Sequence, residues 1–277
     1  MTQQLSIKVD RAIKLIQSAG RDGHLVEIAY SGGKDSDVIL ELARMSGINF
    51  LAIYKNTTID PPGTIAHAKE NGAEILEPKK RFFEIIAAKG APSRFTRFCC
   101  EWLKEYKVLD RVVIGVRKAE SVRRAARYSE PTECRYYGNK KDYVQAFYPI
   151  LEWSDSDIVE FIQDRQLRIH PLYYREDGTI DPKRRLGCLC CPFMYYKNRL
   201  AEFRKYPGMA KQYVRAMQKF RDTHPNSKNV LLYSTVYEWA VREFFFNKQK
   251  DFDIWKSSMF AEEDYKRKLE DYFSITL

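Results

Sequence analysis

The chain has 277 residues, 44% of them hydrophobic, which is enough for one large core or for a main domain with an appendage. No apolar run reaches the roughly 18 residues that cross a bilayer, and the first residues lack the basic-then-apolar form of a secretion signal. We therefore expect a cytoplasmic protein without a membrane partner. The formal net charge of +10 favours a polyanionic partner such as nucleic acid, although enzymes that bind small phosphorylated substrates also gather Lys and Arg.

A helix and a strand open the chain. Apolar residues recur at helical spacing from Leu5 to Ile16 and stop before Gly20, which predicts a helix over residues 5–19. The apolar run 25–30 then predicts a buried strand. Six residues of a different character follow this strand: Ser31, Gly32, Gly33, Lys34, Asp35 and Ser36.

This six-residue turn is predicted to hold phosphate. Its two adjacent glycines let backbone N–H groups approach a ligand, and the helix that begins near Asp35 adds its positive N-terminal end. The turn is not a Walker A motif, because the first glycine of that motif would stand where the chain has Ile28. A dinucleotide-binding G-x-G-x-x-G cannot be written here either.

Strands and helices alternate beyond the turn. Apolar runs predict strands over residues 50–54, 74–76 and 111–117. They also predict a helix that begins at residue 82 and ends at Gly90, and another from residue 94 onward. Polar loops follow the first and last of these strands, and the carboxyl ends of parallel strands are where open α/β sheets bind ligands. The pattern predicts an α/β fold with an open, doubly wound, mostly parallel sheet.

The second half of the chain is less regular. Residues 128–143 are rich in Tyr, Lys and Arg and are predicted to form an insertion loop. Ser154 and Asp157 form a capping box before a helix. Residues 171–192 are loop-like and include the basic run 183–185, whereas the remainder has helical periodicity. We therefore predict an α/β domain over residues 1–192 and a helical C-terminal region over 193–277.

The cysteines are clustered. Cys99 and Cys100 are adjacent, and Cys188 and Cys191 form a CxxC. Four thiolates from two loops can enclose a metal, and the spacing alone leaves a four-iron cluster, tetrahedral zinc and no metal open. Cys190 is either a small apolar side chain or a redox thiol, and Cys134 is predicted to be an ordinary loop cysteine.

Several of these segments together resemble a known family. Ser31–Ser36 matches the S-G-G-x-D-S signature of the PP-loop ATP pyrophosphatases, the adenine nucleotide alpha hydrolases. With this PP-loop, four further segments resemble the phosphoadenylylsulfate (PAPS) reductase family over residues 24–195: Thr57–Pro62, Arg97–Lys104, Gly115–Arg124 and Gly187–Pro192.

The resemblance implies an adenine nucleotide, ATP or PAPS, bound across the carboxyl edge of the sheet. Lys34 and Asp35 would lie at its reacting end. The implied nucleotide-binding residues are Ser31, Gly32, Gly33, Ser36, Thr57, Thr58, Asp60, Gly115, Arg117, Glu120 and Arg124. The cysteine pattern resembles that of the iron–sulfur type of adenylylsulfate reductase, which implies a 4Fe-4S cluster, with zinc as the alternative, on Cys99, Cys100, Cys188 and Cys191.

The resemblance also departs from the family pattern in one respect. Assimilatory reductases act through a cysteine in a C-terminal Glu-Cys-Gly-Leu-His stretch, and this sequence has no cysteine after Cys191. We therefore expect ATP and Mg²⁺ to be used to adenylate an acceptor for sulfur insertion. DNA or tRNA is the expected acceptor, by resemblance to nucleic-acid thiolating relatives, together with a sulfur donor.

Two other functions stay open at this point. One is a PAPS or adenylylsulfate reductase that releases sulfite with a thioredoxin-like reductant. The other is a regulatory protein that binds the nucleotide without turnover. Release of pyrophosphate, release of sulfite, and binding alone distinguish the three.

Overall fold

A computed structural model describes residues 1–93, 96–137, 143–246 and 262–277. The chain divides into two compact units. The first comprises residues 1–78 and 101–187, and the second comprises residues 79–100 and 188–277. The sequence pattern predicts a domain boundary near residue 192. In the structure the first unit ends at residue 187, and residues 79–100 belong to the second unit.

A single sheet forms the centre of the first unit. Its strands, over the described residues, are β1 (Val26–Tyr30), β2 (Phe50–Lys55), β3 (Glu74–Leu76), β4 (Arg111–Ile114), β5 (Thr132–Tyr136) and β6 (Tyr143–Phe147). They lie in the order β3-β2-β1-β4-β6-β5. Only the β5–β6 pair is antiparallel among them, so the predicted open, mostly parallel α/β sheet is confirmed.

The strand order reverses between β1 and β4. From β1 the chain proceeds outward to β2 and β3, and it then returns to place β4 on the other side of β1, with Ile28 opposite Val113. The loops that leave β1 and β4 therefore diverge from neighbouring strand ends. Such a switch point forms a crevice in which open α/β sheets bind their ligands.

Helices of the first unit cover the sheet. They are α1 (Gln3–Ala19), α2 (Lys34–Ser46), α3 (Thr64–Glu70), α6 (Val122–Arg127) and α7 (Asp155–Asp164). Thr2 caps α1 by accepting a hydrogen bond from the Leu5 N–H, and α2 ends at Gly47, whose φ of 69° suits a glycine. The apolar faces of α1, α2 and α7 join one side of the sheet in a continuous core.

The segment 128–143 differs from its prediction. It contains strand β5, which pairs with β6 in a register that places Cys134 opposite Gln145; residues 138–142 lie outside the described residues. The prediction of a loop was wrong because β5 is an edge strand with no fully buried residue, so it lacks the apolar alternation that indicates a strand. The strand predicted over residues 111–117 also ends earlier, at Ile114.

The second unit is helical. Its helices are α4 (Phe82–Lys89), α8 (Tyr196–Lys205), α9 (Pro207–Thr223), α10 (Lys228–Leu232), α11 (Val236–Trp239) and α12 (Glu262–Phe273), and a π-helix at Ala240–Phe245 follows α11 directly. One boundary between the units, between residues 100 and 101, falls within the short helix α5 (Phe98–Leu103). Residues 94–95, predicted to start this helix, lie outside the described residues.

Aromatic side chains explain why α4 joins the C-terminal helices. The rings of Phe82 and Tyr213 lie 5.6 Å apart in an edge-to-face arrangement, and Phe203 contacts both Tyr213 and Phe245. The predicted helical C-terminal part is confirmed. In the ranges that the structure describes, no helix combines the length and the apolar character needed to span a membrane.

The capping box at α7 gives a pH-dependent prediction. Asp157 accepts hydrogen bonds from the Ser154 N–H at 2.6 Å and from Lys8 at 2.6 Å. Burial alone would raise the pKa of Asp157, but the hydrogen bonds from Lys8 and Ser154 hold it below its ordinary value. Its stabilising effect is therefore present above pH 3.8 and is lost as the pH falls through the lowered pKa.

We expect Asp157→Ala to lower the free energy of unfolding by about 1 kcal/mol at pH 7. The difference from the wild type should vanish under acid conditions, where the wild-type carboxyl is also neutral. Urea unfolding at several pH values measures this, with the exposed Asp10→Ala as the control. A difference that stays constant into acid would contradict the assignment.

Candidate functional site

The turn between β1 and α2 has the backbone of an anion-binding loop. Gly32 has a φ of +73°, and a Cβ atom on it would lie 2.9 Å from the Thr64 Cγ2. Gly33 precedes α2, and its carbonyl accepts hydrogen bonds from the N–H groups of Ser36 at 2.8 Å and Asp37 at 3.0 Å. Within the described residues, the N–H groups of Gly33 and Asp35 donate to no protein acceptor. They are therefore available to a ligand.

Buried charges surround the start of α2. The Lys34 Nζ lies 2.9 Å from the Asp35 Oδ2, and the Arg117 Nε lies 2.7 Å from the Asp35 Oδ1. Arg117 is only 1% exposed, and its other nitrogens reach Asp155 Oδ1 at 3.0 Å and the Trp153 carbonyl at 3.3 Å. Burial alone would lower the pKa of Arg117, but the charges of Asp35 and Asp155 raise it. Arg117 therefore stays charged.

The loop after β4 joins this group. A Cβ atom on Gly115 would lie 3.0 Å from the Asp35 carbonyl oxygen, so a glycine lets the chain that leaves β4 pass close to α2 without displacing this carbonyl. Glu120 accepts a hydrogen bond from the Arg117 N–H at 3.2 Å and forms an ion pair with Arg124. The structure therefore brings the predicted residues Lys34, Asp35, Gly115, Arg117, Glu120 and Arg124 together.

The loop after β2 is held by its own side chains. The Asp60 Oδ2 accepts hydrogen bonds from the Tyr54 hydroxyl at 2.6 Å and from the Thr57 N–H at 3.1 Å. Thr58 has a φ of 64°, and its N–H donates to the Asn56 Oδ1 at 2.8 Å. These contacts give Asp60 a role in shaping the loop. A contact of Thr57, Thr58 or Asp60 with a nucleotide stays a prediction.

A buried polar network beneath the turn was missed by the sequence analysis. Asp37 accepts hydrogen bonds from the Tyr30 hydroxyl and lies 3.0 Å from the His67 Nε2. Burial raises the pKa of Asp37, although His67 and Tyr30 oppose the rise. The network fastens α2 to β1 and α3. Asp37 directly follows the Ser31–Ser36 signature, but a single histidine in an amphipathic helix does not indicate that His67 contacts Asp37.

The segment 171–187 also contributes residues that were not predicted. The Arg185 Nη2 donates to the Glu120 carbonyl at 2.7 Å and lies 3.7 Å from the Glu120 Oε1. The ring of Tyr173 lies under Lys34, with the Lys34 Nζ 5.2 Å from its centroid. The basic run 183–185 was the only signal in the sequence for this contact, and loop residues distant in sequence cannot be assigned to a site from periodicity.

Residues 26–194 match the family model described as the phosphoadenosine phosphosulfate reductase domain. The chain belongs to this family. The matched residues include the PP-loop, the loop after β4 and the second cysteine group, Cys188–Cys191. No curated protein sequence matches the chain significantly.

Solved structures that match part of the chain include the FMN adenylyltransferase of Candida glabrata. Its complex with FMN and the ATP analogue AMPCPP is 16% identical, with a TM-score of 0.39, over 64% of this chain and 63% of that chain. Its complex with ATP is 17% identical, with a TM-score of 0.38, over 61% and 59%. The chain therefore matches less than two thirds of the length of these proteins.

The predicted cysteine ligands of this family member all lie in the second unit. A hydrogen bond with Cys100, burial, and the charges of Cys191 and Cys188 together raise the pKa of the Cys99 thiol. The four sulfurs are thus near enough to interact, and their donor chemistry fits a thiophilic metal or an iron–sulfur cluster. Among the residues that the structure describes, no three or more Cys, His, Asp or Glu side chains are already arranged to hold a metal ion.

The two remaining cysteines differ from these four. Cys190 is fully buried, and its N–H donates to the Glu202 carboxylate. Burial raises the pKa of the Cys190 thiol, which therefore remains protonated and packs as a small apolar side chain. Cys134 is exposed on strand β5 in the first unit.

Proposed function

We propose that this protein is a PP-loop enzyme that uses ATP to adenylate an acceptor, from which a sulfur nucleophile then displaces AMP. The observation that carries the proposal is the buried arrangement of Lys34, Asp35 and Arg117 at the N-terminus of α2, beside the switch point of the sheet. Membership of the phosphoadenosine phosphosulfate reductase family supports an adenine nucleotide as the ligand.

The proposed reaction has two displacements. An acceptor oxygen attacks the α-phosphorus of ATP, and the bond to the bridging oxygen breaks, so that pyrophosphate leaves with that oxygen and the acceptor becomes an AMP ester. A sulfur nucleophile then displaces AMP. The Lys34 ammonium and the N–H groups of Gly33 and Asp35 offset the charge that develops on pyrophosphate. Ser31 and Ser36 line the same turn.

Asp35 is the carboxylate nearest the start of the proposed phosphate site. It lies in the first turn of α2 and is paired with Lys34 and Arg117. Mg²⁺ prefers carboxylate and phosphate oxygens and usually binds to one or two carboxylates together with substrate phosphates. The MgATP substrate therefore suits Asp35. Arg117 holds the carboxylate in place through the 2.7 Å contact.

Pyrophosphate release tests the proposal. We expect purified protein with MgATP and nucleic acid to release pyrophosphate, and Lys34→Ala to reduce the rate by about 100-fold or more, as expected for loss of a donor to transition-state charge. Lys69→Ala, at an exposed lysine of the same unit, is the matched control. Absence of pyrophosphate release, with Lys34→Ala indistinguishable from the wild type, would contradict the proposal.

Nucleic acid is the proposed acceptor class. The formal net charge of +10 supports a polyanionic acceptor, and the exposed Arg185 and the half-buried Arg124 add cations beside the proposed phosphate site. The same assay with DNA, with tRNA and without nucleic acid identifies the acceptor. Sulfite released from PAPS or adenylylsulfate with thioredoxin would instead support the reductase, and nucleotide binding without turnover would support a regulatory protein.

A 4Fe-4S cluster is proposed for the second unit. Cys99, Cys100, Cys188 and Cys191 would hold it, and such a cluster, when bound, can carry electrons or activate sulfur. We expect anaerobically purified protein to show the broad visible absorption of thiolate-bound iron and sulfur. Cys99→Ser and Cys188→Ser should lose it, whereas the exposed Cys134→Ser should retain it. A colourless protein with bound zinc would favour the zinc alternative, and one without metal would contradict both.

A further inference from the structure

Tyr173 lies directly against the PP-loop. It ends the short 3-10 turn Pro171–Tyr173 and is only 2% exposed. Its hydroxyl is 3.1 Å from the position that a Cβ atom on Gly33 would occupy, and its ring faces the Lys34 ammonium. A polar atom of a distant loop is therefore held beside the proposed phosphate site.

The hydroxyl of Tyr173 has a hydrogen-bond donor to spare. Its oxygen accepts a hydrogen bond from the Leu186 N–H at 3.2 Å, and the Lys34 N–H also faces it. Its own O–H donates to no acceptor in the described part of the chain. Burial raises the pKa of Tyr173 to about 12, so the proton stays on the oxygen at neutral pH. Leaving a buried donor without an acceptor is unfavourable, which indicates a ligand as its partner.

The segment that carries Tyr173 is fixed at several points. The His170 Nδ1 accepts a hydrogen bond from the Leu172 N–H at 3.1 Å, and Arg184 donates to the carbonyls of Leu172 and Tyr174. The Asp181 N–H donates to the Tyr173 carbonyl at 2.8 Å. The phenol is therefore preorganised, and a ligand that meets it does not have to order the loop.

The groups around this hydroxyl define the chemistry of the partner. The N–H groups of Gly33 and Asp35 belong to the turn that this hydroxyl faces and lack an acceptor within the described residues, and the Lys34 ammonium lies over the ring. The Asp35 carboxylate is already paired with Lys34 and Arg117, so the groups left without an acceptor are donors, and a ligand with several acceptor oxygens satisfies them. A phosphate group meets this requirement.

We propose that the Tyr173 hydroxyl donates a hydrogen bond to a phosphate oxygen of the bound nucleotide, on the part that leaves as pyrophosphate. This inference rests on the proposed function and adds to it a phosphate-binding residue that lies outside the Ser31–Ser36 signature. Tyr173 touches the leaving group and contributes both to binding of pyrophosphate and to its departure. The oxygen is polarised by the N–H groups that face it, which strengthens its O–H as a donor.

Binding of inorganic pyrophosphate to Tyr173→Phe tests the inference without requiring turnover. The variant keeps the ring under Lys34 and loses only the hydroxyl. Isothermal titration should show affinity for pyrophosphate reduced by about 10-fold or more, the loss expected for a hydrogen bond to a charged group. Tyr174→Phe, at the exposed neighbouring tyrosine, should bind as the wild type does. Thermal unfolding verifies that both variants are folded.

The outcomes separate this inference from the proposed function. Unchanged or tighter binding of pyrophosphate to Tyr173→Phe would overturn the inference, and tighter binding would identify the hydroxyl as an obstacle to phosphate. If wild-type protein binds pyrophosphate in a Tyr173-dependent manner but does not release it from ATP, the inference stands and the proposed function fails. If ATP turnover is present and equal in wild type and Tyr173→Phe, the function stands and the inference fails.

Discussion

Gly32→Ala is expected to abolish nucleotide binding and to destabilise the first unit. Gly32 has a φ of +73°, and adopting this backbone conformation destabilises a residue with a Cβ atom by about 1–2 kcal/mol. The added atom would also lie 2.9 Å from the Thr64 Cγ2, so the turn or α3 has to shift. A shifted turn no longer aims its N–H groups at one phosphate. Titration with MgATP and urea unfolding measure the two effects.

Gly178 provides a matched control for this substitution. Its φ is +79°, but no atom lies within 4 Å of the position of its Cβ. Gly178→Ala should therefore have a similar backbone cost and retain full nucleotide affinity. Equal loss of affinity in the two variants would show that general destabilisation, rather than displacement of the PP-loop, explains the result.

Arg117→Leu is expected to produce the largest loss of stability among single substitutions at the site. It removes the guanidinium that contacts both Asp35 and Asp155 and leaves their carboxylates facing a newly apolar side chain. Breaking a buried ion pair from one side costs about 3–5 kcal/mol. Arg127→Leu breaks an exposed pair with Glu133 and should cost about 0–1 kcal/mol. Urea unfolding compares the two directly.

Adding Asp35→Asn to Arg117→Leu separates stability from function. The second substitution removes a carboxylate that has lost its guanidinium partner and keeps only Lys34, so part of the lost stability should return. Pyrophosphate release should not return, because both the carboxylate and its guanidinium partner are absent. Recovery of activity in the double variant would show that Asp35 and Arg117 only stabilise the fold.

The local features of the site could be predicted from sequence because each depends on neighbouring residues. The sequence Ser31–Ser36 lies between an apolar run and an amphipathic one, and both the strand and the helix are present. Gly115 and Arg117 could be placed by family resemblance. Their contacts with Asp35 required the strand order, which places β4 beside β1 and is not determined by any local pattern.

The features that were missed depend on long-range packing. Tyr173 and Arg185 lie in a loop without periodicity, and only the folded chain brings them to Gly33 and Glu120. Strand β5 has an exposed edge and lacks an apolar signal. Helix α4 occurs within the alternation of strands and helices and was therefore predicted to belong to the α/β domain. Its Phe82 instead packs against Tyr213 in the second unit.

Product analysis by ³¹P NMR tests the central claim most directly. Wild-type protein, MgATP and the nucleic acid that stimulates turnover are incubated together, with Lys34→Ala as the inactive reference. We predict AMP, free or esterified to the acceptor, and pyrophosphate in equal amounts, because the bond between the α-phosphorus and its bridging oxygen is broken. Formation of ADP and inorganic phosphate, or intact ATP with every nucleic acid tested, would contradict the account.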